Sequence, residues 1–139
     1  MIDELVEDLK SDEGWSPHAY QDHLGFWTIG YGFLVDDRKD AGLPEQIADA
    51  WLTYAITERW NHLVAREPWI SDQPEDVRRA LGNMVYQLGV GGLLGFKNTL
   101  RLLKEGKRGE AADNALQSKW AKQTPQRAKR VTDLLRGNV

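Results

Sequence analysis

The chain has 139 residues, a length suited to one domain with a substantial core. It is 41% hydrophobic and 28% charged with no cysteine, which excludes a disulfide framework and a thiolate metal site; no apolar run approaches the ~18 residues of a membrane span, so a soluble protein without stable membrane insertion is expected. The net charge of −3 is uneven: residues 1–70 hold 14 acids and 5 bases and residues 71–139 hold 7 acids and 13 bases, which suggests a basic surface that meets something anionic.

MIDELVEDLK is acidic and helical where a secretory signal is basic and then continuously apolar, so no export signal is expected. Ile2, Leu5, Val6 and Leu9 mark the stripe of a short amphipathic helix, with Gly14 placed to end it and Glu13 at or just past its C-terminus. From His18 to Leu34, aromatics, Thr and Ile punctuated by Gly25, Gly30 and Gly32 predict two or three short antiparallel strands. Alternation puts Phe26 and Thr28 on one face and Trp27 and Ile29 on the other. Residues 35–43 form a polar connection. Pro44 then suits the first turn of a long helix, which carries Ile47, Trp51, Tyr54, Ala55 and Leu63 through about Arg66.

Val77, Leu81, Met84, Val85 and Leu88 predict a buried helix over 74–88. The glycines of GVGGLLG at 89–95 suit a helix-to-helix turn, because a phosphate cradle would end in Lys-Ser/Thr. Three shorter helices follow over about 96–104, 108–117 and 125–136, the last opened by the cap residue Thr124 and by Pro125. Trp51, Trp60 and Trp120 are expected to pack in the core. The order of helix, small sheet, long helix and helical bundle gives the class α+β with a minor sheet.

Glycosidic cleavage needs two carboxyls flanking a cleft, one to protonate the leaving oxygen and one to support a water or attack the sugar carbon. Glu13 and Asp22 supply the acids, and Thr28 a hydroxyl to help hold the water. From spacing alone the same residues also fit a solvated turn. His18 and His23 flank Asp22, yet no third ligand has suitable spacing, so no metal is expected and the histidines suit surface or hydrogen-bonded roles. The basic stretch KWAKQTPQRAKR at 119–130 has one tryptophan, too few for a nucleic-acid stacking platform. A polyanionic cell wall explains it as well. Trp15, beside Glu13, is a candidate for a cleft edge.

Three blocks bear on the choice: Glu13-Gly14 through Tyr20-Gln21-Asp22 to Phe26-Trp27-Thr28-Ile29-Gly30-Tyr31-Gly32; Asn83-Met84-Val85-Tyr86-Gln87-Leu88-Gly89 with Gly95-Phe96-Lys97-Asn98-Thr99-Leu100-Arg101; and Ser118-Lys119-Trp120 with Gln123-Thr124-Pro125-Gln126-Arg127-Ala128-Lys129-Arg130-Val131. Together and in this order they resemble the phage-type lysozymes, the muramidases typified by the T-even phage enzyme. The resemblance implies a small sheet-bearing lobe at about 12–43, a connecting helix at about 44–66 and a helical lobe formed by 1–11 and 67–139, with the cleft between the lobes of a single 1–139 domain. It implies hydrolysis of the β-1,4 bond between N-acetylmuramic acid and N-acetylglucosamine in peptidoglycan, with inversion and without a cofactor. Glu13 matches the general acid, and Asp22 and Thr28 match the residues that hold the attacking water. Leu34, Tyr86, Gln87 and Asn114 match positions lining the saccharide cleft, and Arg127 matches an arginine that pairs with the catalytic Glu.

The sequence departs from the family pattern at Tyr86, where a Phe is familiar, and at Phe33, where a histidine forms a salt bridge. The connection at 35–43 is shorter, and the family's last short helix is absent after Arg136-Gly137-Asn138-Val139. An endolysin of this kind is expected as a monomer that stays in the host cytoplasm until a holin-type permeabilising protein releases it to the wall. The alternatives are a peptidoglycan-binding module without turnover and a nucleic-acid-binding helical domain. A lytic transglycosylase uses no water, so Asp22 and Thr28 favour hydrolysis.

Overall fold

The N-terminal apolar repeat folds as helix α1, Ile2–Glu13, in a computed structural model that describes residues 2–21, 24, 27–31, 33–36 and 43–138. Gly14 ends α1 as expected, because at φ 73° it takes a left-handed turn and its N–H bonds the Lys10 carbonyl at 3.0 Å. Strands β1, Ser16–Gln21, β2, Trp27–Gly30, and β3, Phe33–Asp36, form an antiparallel sheet in that order. The register sets Thr28 on the middle strand between Tyr20 and Leu34, and a bulge interrupts β1 between Ser16 and Tyr20. The expected polar connection starts inside β3, which reaches Asp36, and its residues 37–42 lie outside the described residues.

Helix α2, Glu45–Arg66, begins after Pro44, whose carbonyl accepts from the N–H groups of Ile47 and Ala48. By its contacts the chain divides inside this helix, into the compact units Met1–Ala50 and Trp51–Val139.

In the second unit, a 3₁₀ turn, Pro68–Asp72, leads to α3, Glu75–Leu94, followed by α4, Lys97–Lys104, α5, Arg108–Leu116, α6, Lys119–Gln123, and α7, Pro125–Arg136. Their apolar faces close on one core that includes Leu63, Ile70, Leu81, Met84, Leu93, Leu103 and Leu135, all fully buried. Each such side chain contributes about 1.5–3 kcal/mol on leaving water. Trp120 is buried and Trp60 packs against the core, but Trp51 is 53% exposed, contrary to expectation. The core meets α2 from Trp60 to Val64, and Trp51 stands about 13 Å earlier along the helix axis. Among the described residues, no helix is long and apolar enough to cross a membrane.

Gly89 breaks α3 at φ 76° and ψ 168°, a region that only glycine enters without strain, and a helical turn resumes before Gly95. The expected helix-to-helix turn is therefore present at its first glycine. No atom stands within 4 Å of a Cβ added at Gly89, so Gly89→Ala tests backbone strain alone. It is expected to cost about 1–3 kcal/mol, measured as a lower denaturation midpoint with unchanged m.

The start of α7 departs from expectation in detail. The Thr124 side chain makes no cap bond there and instead donates from Oγ1 to the Trp120 carbonyl at 3.0 Å. Ser118 does cap α6, accepting from the Ala121 N–H at 3.3 Å. At the other end of α7, Arg108 donates from Nε to the Leu135 carbonyl at 2.7 Å and from Nη2 to the Leu134 carbonyl at 3.0 Å. The same guanidinium pairs with Asp76 at 2.7 Å and holds its carboxyl below the ordinary carboxylate pKa.

Candidate active site

Within Met1–Ala50, the local sequence sets Glu13 and Thr28 on different supports. Glu13 is the last residue of α1 and exposed, because the turn at Gly14 stops the helix immediately after it. Thr28 is 3% exposed and fixed by strand pairing on both sides. Leu34 lies opposite Thr28 on β3. Asp22, the second expected acid, lies outside the described residues, as do His23, Phe26 and two of the expected turn glycines, Gly25 and Gly32. Strand β1 ends at Gln21, which pairs with Trp27 at the start of β2.

Within Trp51–Val139, three of the expected saccharide residues line two hollows of about 580 Å³ each. Tyr86 and Arg127 line the first with Trp60, Asn83 and Arg79. Arg127 donates from Nε to Asn83 Oδ1 at 2.8 Å, which ties α7 to α3, and the Arg59 guanidinium lies 5.3 Å from the centre of the Tyr86 ring. Asn114 lines the second hollow with Phe96, Lys97, Lys119 and Trp120. Gln87 acts on that hollow through Trp120, accepting its indole N–H at Oε1 at 2.8 Å. The bond fixes the plane of a ring that meets Phe96 edge-on, with centroids 5.9 Å apart.

Sequence reasoning gave no role to Thr99, yet its hydroxyl donates to Asn114 Oδ1 at 2.6 Å and the residue is 1% exposed. That bond occupies the amide oxygen and leaves the Asn114 NH₂ for a ligand carbonyl or hydroxyl. The available signal was a hydroxyl beside Leu100, Leu102 and Leu103 on a mostly buried helix, since a buried polar group needs a partner. Asn83 was also given no role, and its support of Arg127 spans 44 residues of sequence. Among the described residues, no three His, Cys, Asp or Glu side chains gather as a metal site.

Within Trp51–Val139, hollows that offer amides, aromatics and cations suit a hydroxyl-rich ligand. Comparison with known proteins agrees. The profile of the phage lysozyme family matches residues 10–136. Probable T4-type lysozyme 1 of Dictyostelium discoideum is 30% identical over 161 aligned positions, covering 97% of this chain and 95% of that protein. Probable T4-type lysozyme 2 of the same organism is 29% identical, covering 94% and 92%. The pre-baseplate central spike protein Gp5 of Enterobacteria phage T4 is 27% identical, over 97% of this chain and 28% of that longer protein. With a family match that runs from the last turn of α1 to the last residue of α7, and an α+β fold to carry it, this chain belongs to the phage lysozyme family and is a muramidase-type glycoside hydrolase of peptidoglycan.

Proposed function

We propose that Glu13 protonates the glycosidic oxygen between N-acetylmuramic acid and N-acetylglucosamine while a water held by Asp22 and Thr28 attacks the anomeric carbon from the opposite face. The product is then a reducing sugar of inverted configuration. Leu34, Tyr86, Gln87, Asn114 and Arg127 hold the glycan. Residues 1–139 act as one monomeric lysozyme domain. The observation that carries this reading is the family match over 10–136, which takes in every residue given a role. The placement of Glu13 and Thr28 in one compact unit supports it. Both Dictyostelium alignments extend over 161 positions against a chain of 139, which fits a chain shortened relative to those proteins.

Mass spectrometry of muropeptides released from purified sacculi tests the chemistry. Hydrated reducing ends are expected; anhydro ends would show a transglycosylase that uses no water, and wall binding without release would show a non-catalytic module. Strongly salt-dependent binding to DNA without saccharide affinity would favour the nucleic-acid reading.

In the cell, we assign the protein to bacterial lysis as an endolysin released by a holin-type partner. Expression in a bacterial cytoplasm should leave cells intact until the membrane is permeabilised. The likeness to the spike protein favours a second placement, in an injection apparatus, and recovery of the chain with purified phage particles would decide for it.

A further inference from the structure

Trp15 follows Glu13 by two residues, across the turn at Gly14, and is 65% exposed. Its ring is nevertheless braced: the centroid lies 5.2 Å from that of Tyr31, with the planes inclined by 45°. Tyr31, half-buried in the turn between β2 and β3, receives Lys10 Nζ 5.6 Å from its ring centre. Lys10 and Trp15 thus both bear on the Tyr31 ring, while the indole keeps most of its surface in solvent. Packing alone would cover the indole, whereas bracing against Tyr31 restricts its rotamers while most of its surface stays open. Such a ring has already lost part of the freedom that ligand binding removes.

We propose that Trp15 is a specificity-determining platform that stacks the apolar face of an N-acetylhexosamine adjoining the bond to be cleaved. The proposal rests on Glu13 as the general acid. Two peptide units limit the Glu13 and Trp15 Cα atoms to about 7 Å apart. A sugar on Trp15 therefore lies within one or two rings of the oxygen that Glu13 protonates. The indole provides a large, rigid apolar surface, and the carbon-bound hydrogens on one face of a β-linked hexosamine present the complementary patch. Stacking on a flat apolar face does not distinguish the two N-acetylhexosamines, so the platform selects strand length rather than one sugar over the other.

The direct test uses Glu13→Gln protein with ¹⁵N-labelled indoles, titrated with a peptidoglycan-derived tetrasaccharide and with a disaccharide. The Trp15 Nε1–H resonance is expected to move with the tetrasaccharide at concentrations where the disaccharide leaves it in place. In the active enzyme, Trp15→Leu keeps an apolar contact for Tyr31 but removes the flat face; it should raise KM on glycan strands about five- to tenfold with kcat and Tm unchanged. Trp15→Phe should return KM to within about twofold of the native value. A stationary indole resonance with bound tetrasaccharide, or an unchanged KM in Trp15→Leu, overturns the platform. Native turnover by Glu13→Gln instead overturns the general-acid reading on which it rests.

Discussion

Glu13→Gln is expected to slow cleavage of purified sacculi by about 10²- to 10⁴-fold, with the thermal midpoint and tetrasaccharide binding unchanged. The amide keeps the size and polarity of the side chain but cannot deliver a proton to the leaving oxygen. Glu13 is exposed at the end of α1, with no part in the buried core, so the substitution removes chemistry without opening a cavity. A drop in kcat without a rise in KM identifies a group that acts in the transition state; a raised KM with native kcat would reassign Glu13 to substrate binding. Turnover near the native rate would remove the proposed mechanism.

The largest expected effect on stability from a polar side chain comes from Arg108→Ala, about 2–4 kcal/mol. One guanidinium serves the last carbonyls of α7 and the carboxylate of Asp76, so its loss strips the cap from one helix and leaves an anion unpaired at the start of another. Both side chains of the pair are a little under a third exposed, which places the expectation below that of a fully buried pair. Urea denaturation measures the change, and a loss below about 0.5 kcal/mol would show that water replaces the clasp. The pair also sets a pH dependence. The hydrogen bond from Arg108 lowers the Asp76 pKa in the folded chain, so its contribution is present above the ordinary aspartate value near 4 and is lost as pH falls through the lowered one. Asp76→Asn is therefore expected to flatten the acid limb of the stability curve while changing its upper limb little.

Long elements with punctuated ends were legible in the sequence. Pro44 and the apolar repeat give α2 its beginning and extent, and Gly14 and Gly89 declare turns because their φ values suit no other residue as well. Helix α6 escaped because Lys119–Gln123 is under two turns long and has too few positions to show a period. The 3₁₀ turn at Pro68–Asp72 escaped for the same reason. Trp51 shows the limit of composition: an aromatic residue on a helix favours burial only where a partner surface reaches it.

The site divides in the same way. Glu13 and Thr28 could be singled out by residue type, and the three ordered blocks gave them roles that spacing alone left open. The supporting bonds could not be read, since Thr99 to Asn114, Trp120 to Gln87 and Arg127 to Asn83 join helices 15, 33 and 44 residues apart. No local pattern encodes them; they follow from how the helices pack.

Helix α3 gives two neighbouring residues, Tyr86 and Gln87, to different hollows, one directly and the other through Trp120. Consecutive positions on a helix point about 100° apart, so one inserted or deleted residue upstream within α3 would turn both side chains by that angle, moving one into the other's direction and the other away from its own. Pro74 at its start and Gly89 at its break fence the segment in which this phase must be kept. Length variation that keeps both hollows as they are is thereby confined to the connections outside that segment, and α3 becomes the ruler against which insertions elsewhere in the chain are tolerated.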